Sequence, residues 1–427
     1  MESMSNGDGD FVPKAINEQT IRDIESFFIA DQMEAEESEI ITIEAFSKSY
    51  ANISHYSKKS YIEKLGTLQN LAYIAHDIGK EKTIDTILPI LTIVAKEEYS
   101  DLKLEMLKHI SEIINILNDK GEGYSKIIEK IWPVVKMLQN DDEKVIEQAN
   151  LIMLKLTDTL TEEDVGTHIL AYILSLAHDE ENIECKIKAL SLLNMMAPKL
   201  GKNYCQQYVV HEVASLASEA EHQLRKAVCQ NFIKICETVG TEIFHSKLFD
   251  VYKILANDTL WSVKKAAAEI IVEISRLCLL EKKQMLIGTM EIFLHDQNKW
   301  VKQSSHEHLG PFITSLPKHI IPESLIEEFI NMSDKKKNTE EEMFQCAFYM
   351  PGVLLTVGEK LWGLLGSAYK TLFNSKIPKI KETLASSLHE FLKNLSSDYH
   401  QVLFDYFDQF LNEKGENMTR LSNSIAS

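Results

Sequence analysis

From about Tyr61 onward the chain places apolar residues at the spacing of a helix face. Tyr61, Leu65, Leu68, Leu71, Ala72 and Ala75 form one such stripe. Similar stripes follow one another toward the C-terminal end, separated by short polar breaks. Asn257-Asp258-Thr259, His178-Asp179 and His295-Asp296 are breaks of this kind. Their short polar side chains compete with helix backbone and favour turns and caps. Before the first of them, Leu248, Val251, Tyr252 and Leu255 mark a helix ending near Ala256. After it, a second helix is predicted from about Leu260 to Cys278, with Val263, Ala266, Ala267, Ile270 and Ile274 as its buried stripe. The alanines suit that stripe because small residues let neighbouring helices approach closely.

The second helices share a marker, an apolar residue followed by a basic one. It recurs at Cys185-Lys186, Leu224-Arg225, Val263-Lys264 and Val301-Lys302, at intervals of 39, 39 and 38. Fainter copies stand at Leu102-Lys103, Val145-Ile146 and Ile380-Lys381. A fixed period near 40 residues is the signature of stacked helix pairs of the HEAT or armadillo kind. The expected class is therefore all-α: a right-handed α-solenoid of HEAT-type helix pairs, an armadillo-like superhelix of about eight or nine pairs. It is expected over residues 55–412, after an acidic and partly disordered segment 1–54 and before a polar tail 413–427. Pro89 and Pro133 fall mid-helix in first helices and are expected to bend them. Asn118–Gly123 and Asp334–Asn338 are expected to be longer loops.

Composition narrows the function. A net charge of −19 disfavours nonspecific nucleic-acid binding, which needs Lys and Arg to displace counterions. No apolar run reaches the roughly 18–20 residues of a membrane span. Met1–Asp10 has neither a basic start nor an apolar stretch, so no secretory signal is expected. The six cysteines show no CxxC spacing and mostly sit in apolar helical stretches, where reduced Cys acts as a small hydrophobe. Cytoplasmic residence, with the nucleus as a further compartment, follows from these features. The Asn-x-Ser/Thr triplets at Asn52, Asn394 and Asn417 then read as chance matches.

Catalytic motifs are absent: there is no GxxxxGK[ST] loop, GxSxG elbow or HExxH zinc site. His211-Glu212, His306-Glu307 and His389-Glu390 resemble the pairs that hold iron in some helical-repeat enzymes. Their offsets from the marker differ, so they are not expected to converge, and neither a metal nor any other cofactor is expected. The basic marker has two readings. Lys186, Arg225, Lys264 and Lys302 could pair with turn residues such as Asp179, Asp258 and Asp296 as a stacking ladder, or could form a basic stripe that touches a partner. Trp261 and Trp300, beside the turns of consecutive repeats, could cover the repeat ends or serve as interface anchors.

Several segments together resemble a known family. MMAPKLGK (195–202), LRKAVCQNFIKICETVG (224–240), NDTLWSVKKAAAEIIVEIS (257–275) and WVKQSSHEHLGPFI (300–313) are similar to the regulatory subunit 1 family of protein phosphatase 4, as are YMPGVLLTVG (349–358) and KIKETLASSLHEFL (379–392). The resemblance spans about residues 95–395 and implies a non-catalytic subunit that binds a Ser/Thr phosphatase catalytic subunit and directs it to phosphoprotein substrates or adaptors. The chain lacks that enzyme's GDxHG, GDxxDRG and GNHE motifs. Partner contacts in the family run through turns along one ridge, which here maps onto Trp261, Lys264, Trp300 and Lys302, with Arg225 on the same ridge. The long acidic insert usual between the family's two halves is missing at His319–Glu323, and the chain is expected to be a shortened relative. A karyopherin-like transport or assembly adaptor is the alternative.

Overall fold

The structure, a computed structural model, describes residues 61–118 and 121–412. The expected acidic segment and polar tail lie outside the described residues. All regular structure among the described residues is helical. The chain divides into two compact units, one ending at Val165 and one beginning at Gly166.

In the first unit, second helices run at Tyr61–Gln69 continuing into Leu71–Lys82, at Ser100–Leu117 and at Glu143–Thr159. They pack side by side. First helices ending at Val94 and Leu138 lie behind them. The second unit repeats the plan. Its second helices are Ile183–Tyr204, His222–Gln230 with Ile233–Ile243, and Trp261–Glu269 with Ile271–Leu277, followed by Lys299–Ser315, Glu340–Val357 and Pro378–Asn394. The all-α class of HEAT-type helix pairs is thus what each unit shows.

The core is the seam between first and second helices. In the repeat around Asn257, Leu248, Val251, Tyr252 and Leu255 face Val263, Ala266 and Ala267, and all are buried. The Tyr252 hydroxyl donates to the Ala267 carbonyl at 3.0 Å, which satisfies a polar group with no access to water. Ile270 departs from the expected stripe. It takes φ −106° and ψ 3°, breaks the helix and is only half-buried. Asn70 and Asn231 break their second helices at the same place, six residues past Lys64 and Arg225 as Ile270 is past Lys264. The two asparagines each donate to the carbonyl four residues back.

Pro89 and Pro133 each sit just past a break in the regular α-helical pattern, but proline is not the general cause. Each follows a π-helical turn, Thr83–Ile87 or Ile127–Ile131, which absorbs the missing N–H. The same turn occurs without proline at Cys205–Val209 and Phe244–Leu248. Between repeats the chain turns on Gly79, Gly201, Gly240 or Gly358, with φ of 75 to 83°. Their ψ values near 170° complete a region open essentially to glycine alone.

Candidate partner-binding ridge

Several turns between first and second helices share one construction. Asp258 Oδ1 accepts the Leu260 N–H at 2.8 Å, and Asp296 Oδ1 accepts the Asn298 N–H at 2.8 Å. Asp334 does the same for Lys336 at 3.0 Å. The short carboxylate closes the turn, and the second helix begins just beyond it.

At Asp258 and Asp296 the carboxylate also faces the preceding repeat. Arg225 reaches Asp258 through Nε at 2.6 Å and Nη2 at 3.1 Å, and its Nη1 donates to the Glu219 and Ala220 carbonyls. The two side chains are 14% and 6% exposed, so this fork is largely screened from water. Burial acts to raise the Asp258 carboxyl, but the Arg225 hydrogen bond and the Leu260 N–H outweigh it and hold the group below its ordinary range. Lys264 pairs with Asp296 and Lys186 with Glu219 in the same way. The ladder reading of the marker therefore holds for Lys186, Arg225 and Lys264.

In the first unit the ladder also exists, and it begins earlier than the marker shows. Lys64 pairs with Glu97 at 2.7 Å and Lys103 with Asp141 at 2.5 Å. Lys64 escapes a search for the marker because the residue before it is Glu63 rather than an apolar one. The other missing copy is Met343-Phe344, where an aromatic replaces the base. Lys379 of the next repeat lies over the Phe344 ring at 3.5 Å, a cation–π contact in place of an ion pair.

Lys302 breaks the pattern. It stands 32 residues before Asp334, as Lys264 stands 32 before Asp296, yet it is exposed and has no ion-pair partner among the described residues. Trp261 and Trp300 are 44% and 45% exposed. They are not equivalent positions, because Trp261 lies three residues before Lys264 and Trp300 two before Lys302. One helical residue of offset turns them about 100° apart. Lys299 lies over the Trp300 ring at 4.8 Å, and Asn298 caps the helix by accepting the Trp300 N–H. Of these five residues, Trp261, Trp300 and Lys302 are thus exposed, while Arg225 and Lys264 hold successive repeats together.

The His-Glu pairs go separate ways. Glu212 meets His178 at 2.9 Å, His306 meets Glu342 at 2.6 Å, and His389 meets its own neighbour Glu390 at 3.2 Å. Glu342 also caps its helix through Thr339, so His306 joins two repeats. The described residues contain no cluster of His, Cys, Asp and Glu that could hold a metal ion. No described helix is long and apolar enough to cross a membrane.

Comparison with known proteins places these features in context. No established protein-family model matches the chain. It is 24% identical over 245 residues to serine/threonine-protein phosphatase 4 regulatory subunit 1 of Rattus norvegicus, covering 56% of this chain and 26% of that protein. The Homo sapiens counterpart is 23% identical over 276 residues, covering 61% and 29%. Regulatory subunit 4 of the same phosphatase, from Mus musculus, is 19% identical over 403 residues, covering 85% and 44%. The chain is thus similar to phosphatase 4 regulatory subunits 1 and 4, and spans between about a quarter and under half the length of these relatives. Among solved structures, Kap121p bound to Nup53p superposes with a TM-score of 0.62 at 11% identity, over 97% of this chain and 45% of that one. That likeness is one of fold.

Proposed function

We propose that this chain is a non-catalytic regulatory or scaffold subunit that binds a Ser/Thr phosphatase catalytic subunit of the phosphatase 4 kind and directs it to phosphoprotein substrates. The similarity to phosphatase 4 regulatory subunits 1 and 4 carries this reading. Tethering enzyme and substrate to one array raises their effective concentration without any chemistry by the scaffold. The contact ridge is assigned to the turns bearing Trp261, Trp300 and Lys302, with Arg225 and Lys264 fixing the spacing of the turns beneath. Exposed tryptophans flanked by a cation match the composition of interface anchors. Cytoplasm and nucleus are the compartments proposed for this work.

The test is a pull-down of the purified chain against the phosphatase 4 catalytic subunit, with Trp261→Ala/Trp300→Ala beside it. Binding by the native chain and its loss in the double variant are expected. Retention in the variant would move the contact elsewhere, and no binding by either chain would sink the reading. The karyopherin-like alternative shares only the fold. Capture of a small GTPase that depends on bound GTP would select it.

A further inference from the structure

The charge on the turn ridge reverses along the second unit. Early turns carry Asp179-Glu180-Glu181 and then Glu221, beside a Glu219 already paired with Lys186. Later turns carry Lys299 and Lys302, then Lys335-Lys336-Lys337, then Lys376, all exposed. This basic stretch belongs to a chain of net charge −19, so composition does not explain it.

Its origin is local. From Asp296 to the helix start at Lys299 is three residues, whereas from Asp334 to the helix start at Glu340 is six. The longer turn holds the lysine run, and Asn338 folds it down by donating to the Asn331 carbonyl at 2.6 Å and the Asp334 carbonyl at 3.1 Å. Asp334 still closes its turn but does not reach back to Lys302. Of the carboxylates nearby, Asp296 is engaged by Lys264, Glu341 by Lys379 and Glu342 by His306, while Glu340 stands exposed at the start of its helix. The second helices of these repeats also start on the ridge, so their N-terminal ends add positive potential. Trp300 supplies an exposed aromatic surface beside the lysines.

We infer that the ridge formed by Lys299, Trp300, Lys302 and Lys335–Lys337 is a docking surface for an acidic, Asp/Glu-rich protein segment. Exposed cations on the turns of adjacent repeats, without ion-pair partners among the described residues, complement carboxylates of an extended peptide, and the indole packs against its apolar or aromatic residues. The acidic turns upstream on the same ridge repel a long polyanion such as RNA and confine the site to a short segment. This surface extends past the proposed phosphatase contact at Trp300 and Lys302 and uses four further lysines, so the two readings fail separately.

The probe is a fluorescent 12-residue peptide rich in Asp and Glu, with its Asn/Gln counterpart as control, titrated against the full chain by anisotropy. The acidic peptide is expected to bind, to weaken as salt rises, and to lose at least tenfold in Lys335→Glu/Lys336→Glu/Lys337→Glu. Lys202→Glu/Lys247→Glu, away from the ridge, should bind as the native chain does. Equal binding of both peptides, or no loss in the triple variant while its circular dichroism and melting stay native, would overturn the proposal. Tighter binding of a single-stranded oligonucleotide of equal length would overturn it in favour of nucleic acid. A rise in peptide affinity when Glu34, Glu36, Glu37 and Glu39 are changed to Gln would reassign the surface to the chain's own acidic run. The phosphatase pull-down plays no part in these readouts.

Discussion

Lys264 and Lys302 hold the same position in successive repeats and do different things. Lys264 is 20% exposed and locked to an Asp296 carboxylate that is 7% exposed. Lys302 stands in water. The helices carrying them pack alike, with Val263 and Val301 equally buried. What differs is the next repeat's turn, three residues longer beyond Asp334 than beyond Asp296. A helix pair therefore folds with or without its rung, and the cation is free to serve cohesion in one repeat and recognition in the next. The same choice explains Phe344, where the rung becomes a ring under Lys379.

The largest expected effect strikes what both regions share. Ala267 is fully buried and its carbonyl accepts the Tyr252 hydroxyl. Ala267→Asp places an unpaired charge against that seam, at a cost of at least about 4 kcal/mol. Because each repeat packs only on its neighbours, the loss should be local: amide exchange and limited proteolysis should open the repeats around 248–277 first. A digestion pattern unchanged from the native chain would refute the helix-pair seam. Next in size is Asp258→Ala, which strands Arg225 against a wall that is mostly dry. The two backbone carbonyls it already contacts soften the loss to about 2 kcal/mol. Melting temperature and amide exchange in the His222–Gln230 helix report it.

The period was legible because its residues are chemically obligatory. An apolar residue must enter the seam, and a short carboxylate suits the closing of a tight turn, so Val263-Lys264 and Asp258 recur in sequence as they do in space. Where another residue meets the same need, the pattern hid the repeat, as at Glu63-Lys64 and Met343-Phe344. The π-helical turns at Cys205–Val209 and Phe244–Leu248 left no trace, since no residue type is required for one. Asn70 and Asn231 hinted at the breaks in their second helices, but Ile270 breaks its helix with an ordinary helix former. On the ridge, the tryptophans and lysines were readable as candidates. Whether each was paired was not, because pairing depends on the length of a turn more than thirty residues away.

Acid sharpens the contrast without any substitution. The Asp258 carboxyl lies below its ordinary range in the folded chain, where the Arg225 and Leu260 bonds outweigh the opposing effect of burial. A depressed folded value means the unfolded chain binds the proton more readily. The pair's contribution is therefore full above about pH 4, the ordinary Asp value, and fades as pH falls through the lower folded value. In Asp258→Ala this part of the acid sensitivity should vanish. Melting curves from pH 5 to pH 2 that stay parallel for the two chains would show that the fork contributes nothing through ionisation.

The smallest expected change in stability is the most discriminating between the two regions. Lys302→Ala removes an exposed side chain with no ion-pair partner among the described residues, so melting should shift by no more than about 0.5 kcal/mol. Lys264→Ala removes a partner from the nearly dry Asp296, and should cost more than Lys302→Ala in the same assay. Binding should invert the order. Loss of Lys302 should weaken the acidic peptide about threefold and flatten its salt dependence, whereas loss of Lys264 should leave the peptide almost untouched. Two variants with equal stability losses and equal binding losses would mean that the ridge does not divide into a cohesive and a recognising half. The longer turn beyond Asp334 would then be only a loop.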